Sequence, residues 1–355
     1  MAKQLAINFR KSSSLIILAK DKVHLDKQAN FKALLFNRHE KASFMPNSSV
    51  FPGGVCETAD ETPLWHKHFE KLGVTKDQLK PLTAVKGQVS NIFKNDNKDV
   101  LERELSLRIT AIRETFEELG IIFCRDRKSL SSQDGKGYGN FREDFDRKHW
   151  QSIVHNDASK FLSLCEELEI VPDLWSLYEW SNWFTPSTFK KRFDTAFFMV
   201  ALENMPDVLP EEHEVKNFAW KTPSDYLKAY FNKEIWLPPP QVYELSRLLN
   251  FTELEKVKDF AQQRSSEGNI VTMPVQFKLK NGQVSVLPGD DLYPEDPNAS
   301  EKLIPIDKDV KEFREGVKNI HRLEFYTPHD AVVRQNFTPV CGHIKPLMAN
   351  PKNHD

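Results

Sequence analysis

Three glutamates in one short stretch have the spacing to do chemistry together. Glu114, Glu117 and Glu118 lie three and four residues apart, so on a helix, at ~100° per residue, their carboxylates converge on one side. Like charges at this spacing weaken a helix unless something compensates them. Arg113, four residues before Glu117, compensates in part, and a divalent cation would do so better, because carboxylate oxygens suit Mg²⁺ or Mn²⁺. The simpler interpretation is a solvated acidic helix face.

An amphipathic helix has to position these carboxylates. Its apolar residues are spaced by four, three, four and three, which is the helical period, and they predict a helix over about residues 99–119: Leu105, Ile109, Ile112, Phe116 and Leu119. The three glutamates fall on the opposite side of this helix. Gly120 follows as the expected C-cap, and residues 121–124 are predicted to form a buried strand.

Strands and turns are predicted on either side of this helix. The apolar runs at residues 15–19 and 32–37 indicate two adjacent strands joined by a polar loop. Pro52, Gly53 and Gly54 then break a short strand, and they force a turn in which the backbone can approach a neighbour closely. Further along the chain, Asn281–Gly282 predicts a hairpin with a type I′ turn.

The glycine turn and the acidic helix together resemble the Nudix box, G-x5-E-x7-R-E-U-x-E-E-x-G-U, where U is aliphatic. Asp60 replaces the first glutamate of the box and Thr115 replaces an aliphatic residue. The other positions are in register: Gly54, Arg113, Glu114, Glu117, Glu118, Gly120 and Ile121. Between Asp60 and Arg113 lie 52 residues against seven in the box, which leaves an insertion of 45.

This insertion is a feature of one Nudix branch, the nucleoside diphosphate-linked moiety X motif 19 type of acyl-coenzyme A diphosphatases, which the chain resembles over most of its length. Coenzyme A-specific Nudix enzymes also carry a stretch before the box. The segment "LLFNRHEKASFMPNSSVFPGG" keeps about half of that stretch, including Arg38 and the Phe-Pro-Gly-Gly turn. Ser43 and Asn47 stand where arginine and glycine are expected, and His39 replaces a small residue.

The resemblance implies a function and roles for particular residues. It implies metal-dependent hydrolysis of the diphosphate link in coenzyme A and acyl-coenzyme A, giving 3′,5′-ADP and (acyl-)4′-phosphopantetheine. The residues to which it gives roles are the metal ligands Glu114, Glu117 and Glu118, the orienting Arg113, the substrate contacts Arg38, Gly53 and Gly54, and Glu214 as an extra ligand or base. A surface loop position is the alternative for Glu214, and Asp60 is expected at the outer edge of the site.

The implied fold is a Nudix α/β/α sandwich with a mixed sheet, an inserted helical segment and a C-terminal extension. We place the Nudix domain at residues 10–265, the insertion at 61–105 and the extension, packed on the domain, at 266–355. The insertion is predicted to form a helical lid or an interface element. Its lysines Lys86, Lys94 and Lys98 are interpreted as solvated surface rather than as contacts for a 3′-phosphate. Four tryptophan and phenylalanine side chains are interpreted as core rather than as an adenine stack: Trp175, Trp180, Trp183 and Phe184.

Composition limits the partners and the compartment. In 355 residues there are 49 Lys and Arg against 51 Asp and Glu, a net charge of −2, so no basic excess suggests a specific nucleic-acid partner. No apolar run reaches the ~18 residues of a spanning helix. The four cysteines form no CxxC pair, which favours a reducing compartment. Family resemblance suggests the peroxisomal or mitochondrial matrix, but there is no clear targeting signal, so a cytoplasmic location is left open.

Two other functions remain compatible with the sequence. One is a Nudix hydrolase for a different diphosphate, such as a nucleotide sugar, a dinucleotide or an RNA cap, because Ser43 and Asn47 depart from the coenzyme A pattern. The other is a Nudix scaffold that only binds, suggested by Asp60 and Thr115. Retention of all three helix glutamates argues against a scaffold. A homodimer is left open.

Overall fold

The computed structural model describes residues 9–23, 29–94, 97, 99–131 and 137–347. Its strands are β1 (Arg10–Lys20), β2 (Phe31–Arg38), β3 (Ser49–Val50), β4 (Gly53–Val55), β5 (Ile122–Arg125), β6 (Phe141–Arg142), β7 (Val171–Pro172), β8 (Tyr178–Phe184), β9 (Phe193–Leu202), β10 (Val215–Lys221), β11 (Val271–Thr272), β12 (Val275–Leu279), β13 (Gly282–Val286), β14 (Ile304–Pro305), β15 (His321–Thr327) and β16 (Asp330–Gln335). Its helices are α1 (Leu64–Lys71), α2 (Lys76–Thr83), α3 (Arg103–Leu119), α4 (Arg127–Ser131), α5 (Arg147–Asn156), α6 (Lys160–Glu167), α7 (Pro223–Phe231), α8 (Pro239–Leu248), α9 (Leu254–Arg264) and α10 (Val310–Arg314).

A mixed sheet forms the centre of the molecule. Its strand order is β10-β2-β1-β9-β8-β11, with β3 added to β2 and β4 added to β1. Strands β1 and β9 run parallel along ten paired positions, whereas β1 pairs antiparallel with both β2 and β4. Because side chains alternate along a strand, β1 supplies both faces of the sheet: Leu15 and Ile17 belong to one core cluster, Ile16 and Leu18 to the other.

Helices cover both faces of this sheet. The first core cluster packs α3 and residues from α1, α2 and α6 against one face, and the second packs residues from α7, α8 and α9 against the other. The predicted α/β/α sandwich with a mixed sheet is therefore confirmed. The helix predicted at about 99–119 is α3, and it begins at Arg103, four residues later than expected.

The insertion is helical, as predicted, but it forms part of the core. It contains α1, α2 and a 3₁₀ turn at Asn91–Phe93. Trp65 and Phe69 of α1 are each 1% exposed and join the first core cluster. None of the described residues between 61 and 105 lines the main cavity of the molecule. The lid interpretation therefore gains no support from the structure.

Much of the C-terminal third forms a second sheet of five strands, in the order β14-β12-β13-β15-β16. Leu287, Leu323 and Val333 from this part join the second core cluster, so it packs on the sandwich. The predicted β12–β13 hairpin is present, with Leu279 paired to Gly282. The predicted type I′ turn is wrong, because Asn281 and Gly282 are not among the described residues with positive φ. Among the described residues, no helix is long and apolar enough to cross a membrane.

Candidate active site

One cavity of about 970 Å³ is lined by every residue that the sequence singled out for the site. The lining includes Arg38, Gly53, Gly54, Arg113, Glu114, Glu117, Glu118 and Glu214. Strands β1 and β4, helix α3 and the loop before β10 therefore meet at one place. The insertion lysines Lys86 and Lys94 are not part of this lining, and Lys98 lies outside the described residues.

Helix α3 is buried on the acidic side as well as on the apolar side. Glu118 is 2% exposed and Glu117 9%, so a solvated acidic face is ruled out as the explanation of their spacing. The helix ends as predicted at Gly120, which has φ 66° and donates its N–H to Phe116 O at 2.8 Å. A side chain at Gly120 would meet Leu209. Thr115 is buried too, and its hydroxyl donates to Ala111 O at 2.7 Å.

Arg113 is the centre of a buried ion-pair network. Its Nη1 lies 2.5 Å from Glu117 Oε1, which is the predicted pair within the helix, and its Nη2 lies 3.0 Å from Glu114 Oε1. Nη2 also donates to Val55 O at 2.9 Å. The side chain of Arg113 is 2% exposed. The guanidinium therefore joins the carboxylate helix to strand β4.

Asp60 corrects an expectation drawn from the sequence. It was expected at the outer edge of the site, but it is 1% exposed and accepts two hydrogen bonds from Arg113, from Nε and Nη2, each 2.8 Å long. Thr110 Oγ1 donates to the same carboxylate at 2.9 Å, and so does the N–H of Glu57 at 3.0 Å. The shorter side chain has thus become the buried anchor of Arg113, because it folds back on α3 from the loop after β4.

The glycine turn brings backbone into direct contact with the carboxylates. Gly53 has φ 149°, a conformation that favours glycine, and its N–H donates to Glu118 Oε2 at 2.9 Å. A Cβ on Gly53 would overlap the backbone of Ser13, and one on Gly54 would overlap the carboxylate of Glu114. Gly53 is therefore required by close approach to backbone, as the Pro-Gly-Gly break predicted, whereas a side chain at Gly54 would displace the Glu114 carboxylate.

Burial and mutual repulsion disfavour the charged form of these carboxylates. Burial raises the pKa of Glu114 to about 8, with further upward contributions from Glu117, Asp60 and Glu214, although Arg113 opposes them. The pKa of Glu118 is raised well above its ordinary value, first by burial and then by Glu114. Burial likewise raises the pKa of Glu117.

This donor set fits a divalent cation. Such an ion favours the ionised form of carboxylates that are crowded in a buried site. Nudix hydrolases generally use divalent metal ions. Within the described residues, however, no three His, Cys, Asp or Glu side chains already surround a common point as metal ligands do. Arg113 engages Oε1 of Glu117 and the Gly53 N–H engages Oε2 of Glu118.

Arg38 and Glu214 are brought together by strand pairing. Arg38 ends β2 and lies opposite Val215 of β10, and the N–H of His39 donates to Glu214 O at 2.9 Å. The Nε of Arg38 is buried and has no hydrogen-bond partner among the residues that the structure describes, and the charge of Arg38 opposes the upward shift in the pKa of Glu118. Glu214 is exposed on its loop, yet it raises the pKa of both Glu114 and Glu118. Glu214 thus lies exposed on a loop and also lines the cavity, and its role there stays a prediction.

Other cavity residues were not found from the sequence. His155, in the last turn of α5, lines the cavity and opposes the rise in the pKa of Glu117. The β8–β9 loop adds Phe189, Lys190 and Lys191, and the C-terminal part adds Gln276. In the sequence, the "FKK" triplet at residues 189–191 is the sign of this loop. An aromatic ring beside two cations is a pattern that binds nucleotides, because the base stacks on the ring and the phosphate pairs with the cations.

The large aromatic residues of β8 belong mainly to the core, as expected. Trp180 is fully buried and Trp183 is 4% exposed. Their indole N–H groups donate to the two carboxylate oxygens of Glu244, at 2.8 and 2.7 Å. Among these β8 residues, Phe184 and Trp183 contribute to the cavity wall.

A glycine turn docked on an acidic helix inside an α/β/α sandwich defines the Nudix hydrolase class. A solved Nudix hydrolase from Alicyclobacillus acidocaldarius has the same fold, with a TM-score of 0.51 and 20% identity over 71% of this chain and 96% of that chain. A family profile described as the NUDT19 Nudix domain matches residues 9–248, and one described as the NUDT19 C-terminal domain matches residues 276–336. The chain belongs to the NUDT19 family.

Curated relatives resemble the chain along nearly its whole length. The acyl-coenzyme A diphosphatase NUDT19 of Xenopus laevis is 35% identical over 331 residues, which cover 90% of this chain and 87% of the relative. The human protein of the same name is 34% identical over 333 residues, covering 89% and 86%. A putative nudix hydrolase 7 of Caenorhabditis elegans is 24% identical, covering 90% and 86%.

Proposed function

We propose that the protein hydrolyses the diphosphate link of coenzyme A and acyl-coenzyme A in a reaction that depends on Mg²⁺ or Mn²⁺. The observation that carries the proposal is the single cavity in which the helix carboxylates, the glycine turn and Arg38 meet. The two relatives named as acyl-coenzyme A diphosphatases support the choice of substrate. Water adds to one phosphorus, the P–O–P bridge breaks, and 3′,5′-ADP and (acyl-)4′-phosphopantetheine leave.

Each residue of the site has a part in this proposal. When bound, the cation neutralises the diphosphate and lowers the pKa of a coordinated water. Glu114, Glu117 and Glu118 would hold the cation. Arg113 orients Glu117, and Arg38, whose Nε has no protein partner, contacts a phosphate oxygen.

Glu214 is the remaining acid of the site, and we propose it as the extra metal ligand or the base. Its backbone is fixed on both sides, since its N–H donates to Glu211 Oε2 at 2.8 Å and its carbonyl accepts from the N–H of His39. The side chain itself is exposed. It therefore keeps the freedom to approach an ion or a water held by the helix carboxylates.

The coenzyme A stretch keeps more of its backbone shape than its sequence match indicates. Asn47 stands where that stretch has glycine, and its φ is 58°. Asparagine is among the residues that tolerate this left-handed conformation, so the backbone keeps the shape that glycine would give. Ser43, which replaces an arginine, lines the cavity. The backbone conformation of Asn47 thus favours coenzyme A over other diphosphates as the substrate.

The decisive experiment is incubation with coenzyme A and Mg²⁺, followed by chromatography for 3′,5′-ADP. We expect the product to form, and we expect Glu118→Gln and Glu114→Gln to abolish it without loss of fold. Glu214→Gln should slow the reaction, whereas Glu212→Gln, an exposed neighbour outside the cavity lining, should not. Full activity in both helix variants would refute the site.

Negative results would be equally informative. Metal binding without coenzyme A hydrolysis would move the substrate to another diphosphate, such as a nucleotide sugar, a dinucleotide or an RNA cap. Absence of both would favour a binding scaffold. A homodimer and a peroxisomal or mitochondrial matrix location stay predictions, to be tested by sedimentation and by fluorescence microscopy of the tagged protein.

A further inference from the structure

The cavity extends from the carboxylates to a second region with a different chemistry. The loop between β8 and β9, residues 185–192, lines this region together with Phe44. Phe44 contacts Phe189 edge-to-face at 6.3 Å and Phe193 at 5.0 Å, measured between ring centroids. Phe189 remains 36% exposed. These three rings, which we name the aromatic cluster, offer a free face on which a planar group can stack.

Two cations adjoin the aromatic cluster on the same loop. Lys190 and Lys191 are both exposed and line the cavity. Neither ammonium group forms an ion pair or hydrogen bond in the part of the chain that the structure describes. Three of the six acidic residues that line the cavity lie on helix α3, whereas the β8–β9 loop contributes three cations, Lys190, Lys191 and Arg192, and no acid. A group with its own negative charge, separate from the diphosphate, would fit there.

The sheet register gives the distance between the two ends. Ser14 of β1 lies opposite both Gly53 and Phe197, and the N–H of Gly53 reaches Glu118. Phe193 lies four residues before Phe197 on the same strand, which is ~13 Å at ~3.3 Å per residue. A ribose with its base can span this separation when the diphosphate lies at the carboxylates.

The C-terminal part holds the loop in place. Thr188 Oγ1 donates to Gln276 Oε1 at 2.5 Å, and Arg192 Nη2 donates to Asn298 Oδ1 at 2.8 Å. Both bonds join the β8–β9 loop to residues about a hundred positions further along the chain. The loop is thus fixed at its middle and at its last residue before any substrate binds, which reduces the entropy lost on binding.

We propose that the β8–β9 loop is the subsite for a nucleoside that carries an additional phosphate monoester. The base stacks on the aromatic cluster, and Lys190 and Lys191 pair with the monoester. An acyl chain would use the rings but would leave two ammonium groups without a partner, whereas a nucleoside with a phosphate monoester uses the rings through its base and the cations through its phosphate. This assignment rests on the proposed function, and it deepens it by locating the 3′-phosphoadenosine end of coenzyme A.

The test compares coenzyme A with dephospho-coenzyme A, which lacks the 3′-phosphate. The unmodified protein should prefer coenzyme A by about tenfold or more in kcat/KM, because hydrogen bonds to a charged group carry that much discrimination. In the double variant Lys190→Ala/Lys191→Ala this preference should fall close to one. The change should lie in KM for coenzyme A, with kcat retained, because the monoester is not part of the reacting group.

A matched pair of lysines provides the control. Lys256 and Lys308 are exposed and lie outside the cavity lining, so Lys256→Ala/Lys308→Ala should leave the preference unchanged. Phe189→Ala should raise KM for both substrates alike, as loss of a stacking ring predicts.

Distinct outcomes separate the failure of each proposal. If the unmodified protein hydrolyses neither substrate, the proposed function is overturned and this assignment with it. If both substrates are hydrolysed equally, or if the lysine variant loses activity on both alike, the assignment alone is wrong. A Phe189→Ala variant in which KM rises for long-chain acyl-coenzyme A and stays unchanged for coenzyme A would also refute it, by giving the aromatic cluster to the acyl arm.

Discussion

Replacing Asp60 by asparagine tests whether its buried ion pair with Arg113 holds the carboxylate helix in place. Asp60 is 1% exposed and the side chain of Arg113 2%. The two hydrogen bonds between them are each 2.8 Å long. Asparagine keeps the shape of aspartate but removes the charge, and it turns an amide N–H toward a guanidinium that needs an acceptor.

The expected loss of stability follows from this geometry. Removing one partner of a buried ion pair costs about 3–5 kcal/mol, because the other charge stays buried. Arg113 keeps Glu117, Glu114 and Val55 O as partners, so we expect the lower end of that range. About 3 kcal/mol corresponds to a Tm lower by about 4 °C in a chain of this size. The kcat/KM should fall as well, since Glu117 loses its oriented partner.

The assay is thermal denaturation without added metal, followed by kinetics with coenzyme A. Asp307→Asn is the matched control, because Asp307 pairs with Lys280 at 3.1 Å on the surface, where both side chains are more than half exposed. That variant should show no measurable change in Tm or kcat/KM. A Tm for Asp60→Asn within about 1 °C of the unmodified protein would refute the reasoning.

Three further predictions concern other parts of the molecule. Gly54→Ala places a methyl group in the Glu114 carboxylate and should lower kcat at least about tenfold, the scale of a misplaced catalytic group; near-normal kcat would show that the turn yields. Burial lowers the pKa of His321 to about 4. Neutral His321 therefore stabilises the fold fully above its unfolded pKa of ~6.5, and about 3 kcal/mol of this stability is lost as the pH falls toward 4. His321→Gln should flatten the dependence of Tm on pH between those values, and an unchanged slope would assign the effect elsewhere. Trp65→Ala should destabilise the chain by about 3–5 kcal/mol, whereas Leu64→Ala, at a position 49% exposed, should change Tm little; equal, small effects would show that the insertion is not core.

Local sequence patterns predicted much of the fold. The spacing of Leu105, Ile109 and Ile112 defined α3 to within four residues of its true start, and Gly120 marked its end. The carboxylate spacing and the Pro-Gly-Gly break are local as well, so the parts of the site could be named before their contacts were known. The β12–β13 hairpin was also found, whereas its turn type was not, because the side-chain Oδ1 of Asn281 accepts a hydrogen bond from the N–H of Val310, a residue outside the turn.

The role of Asp60 could not be predicted from local sequence patterns. Its role depends on the side chain of Arg113, 53 positions further along the chain, and the insertion separates the two residues in the sequence. The burial of the insertion was not predicted for a related reason: amphipathic helices such as α1 carry an apolar face, but their sequence does not say which surface that face covers.

The sequence by itself determined the chemical identity of the site, because helix periodicity brings the three glutamates together whatever surrounds them. Only the tertiary structure decided that these carboxylates are buried, that Asp60 anchors Arg113, and that Arg38 and Glu214 meet through the pairing of β2 with β10. It also decided that the β8–β9 loop is held by the C-terminal part and that its lysines line the cavity. The physical reason is the same in each case: burial and strand pairing join residues far apart in the chain, and no local pattern encodes them.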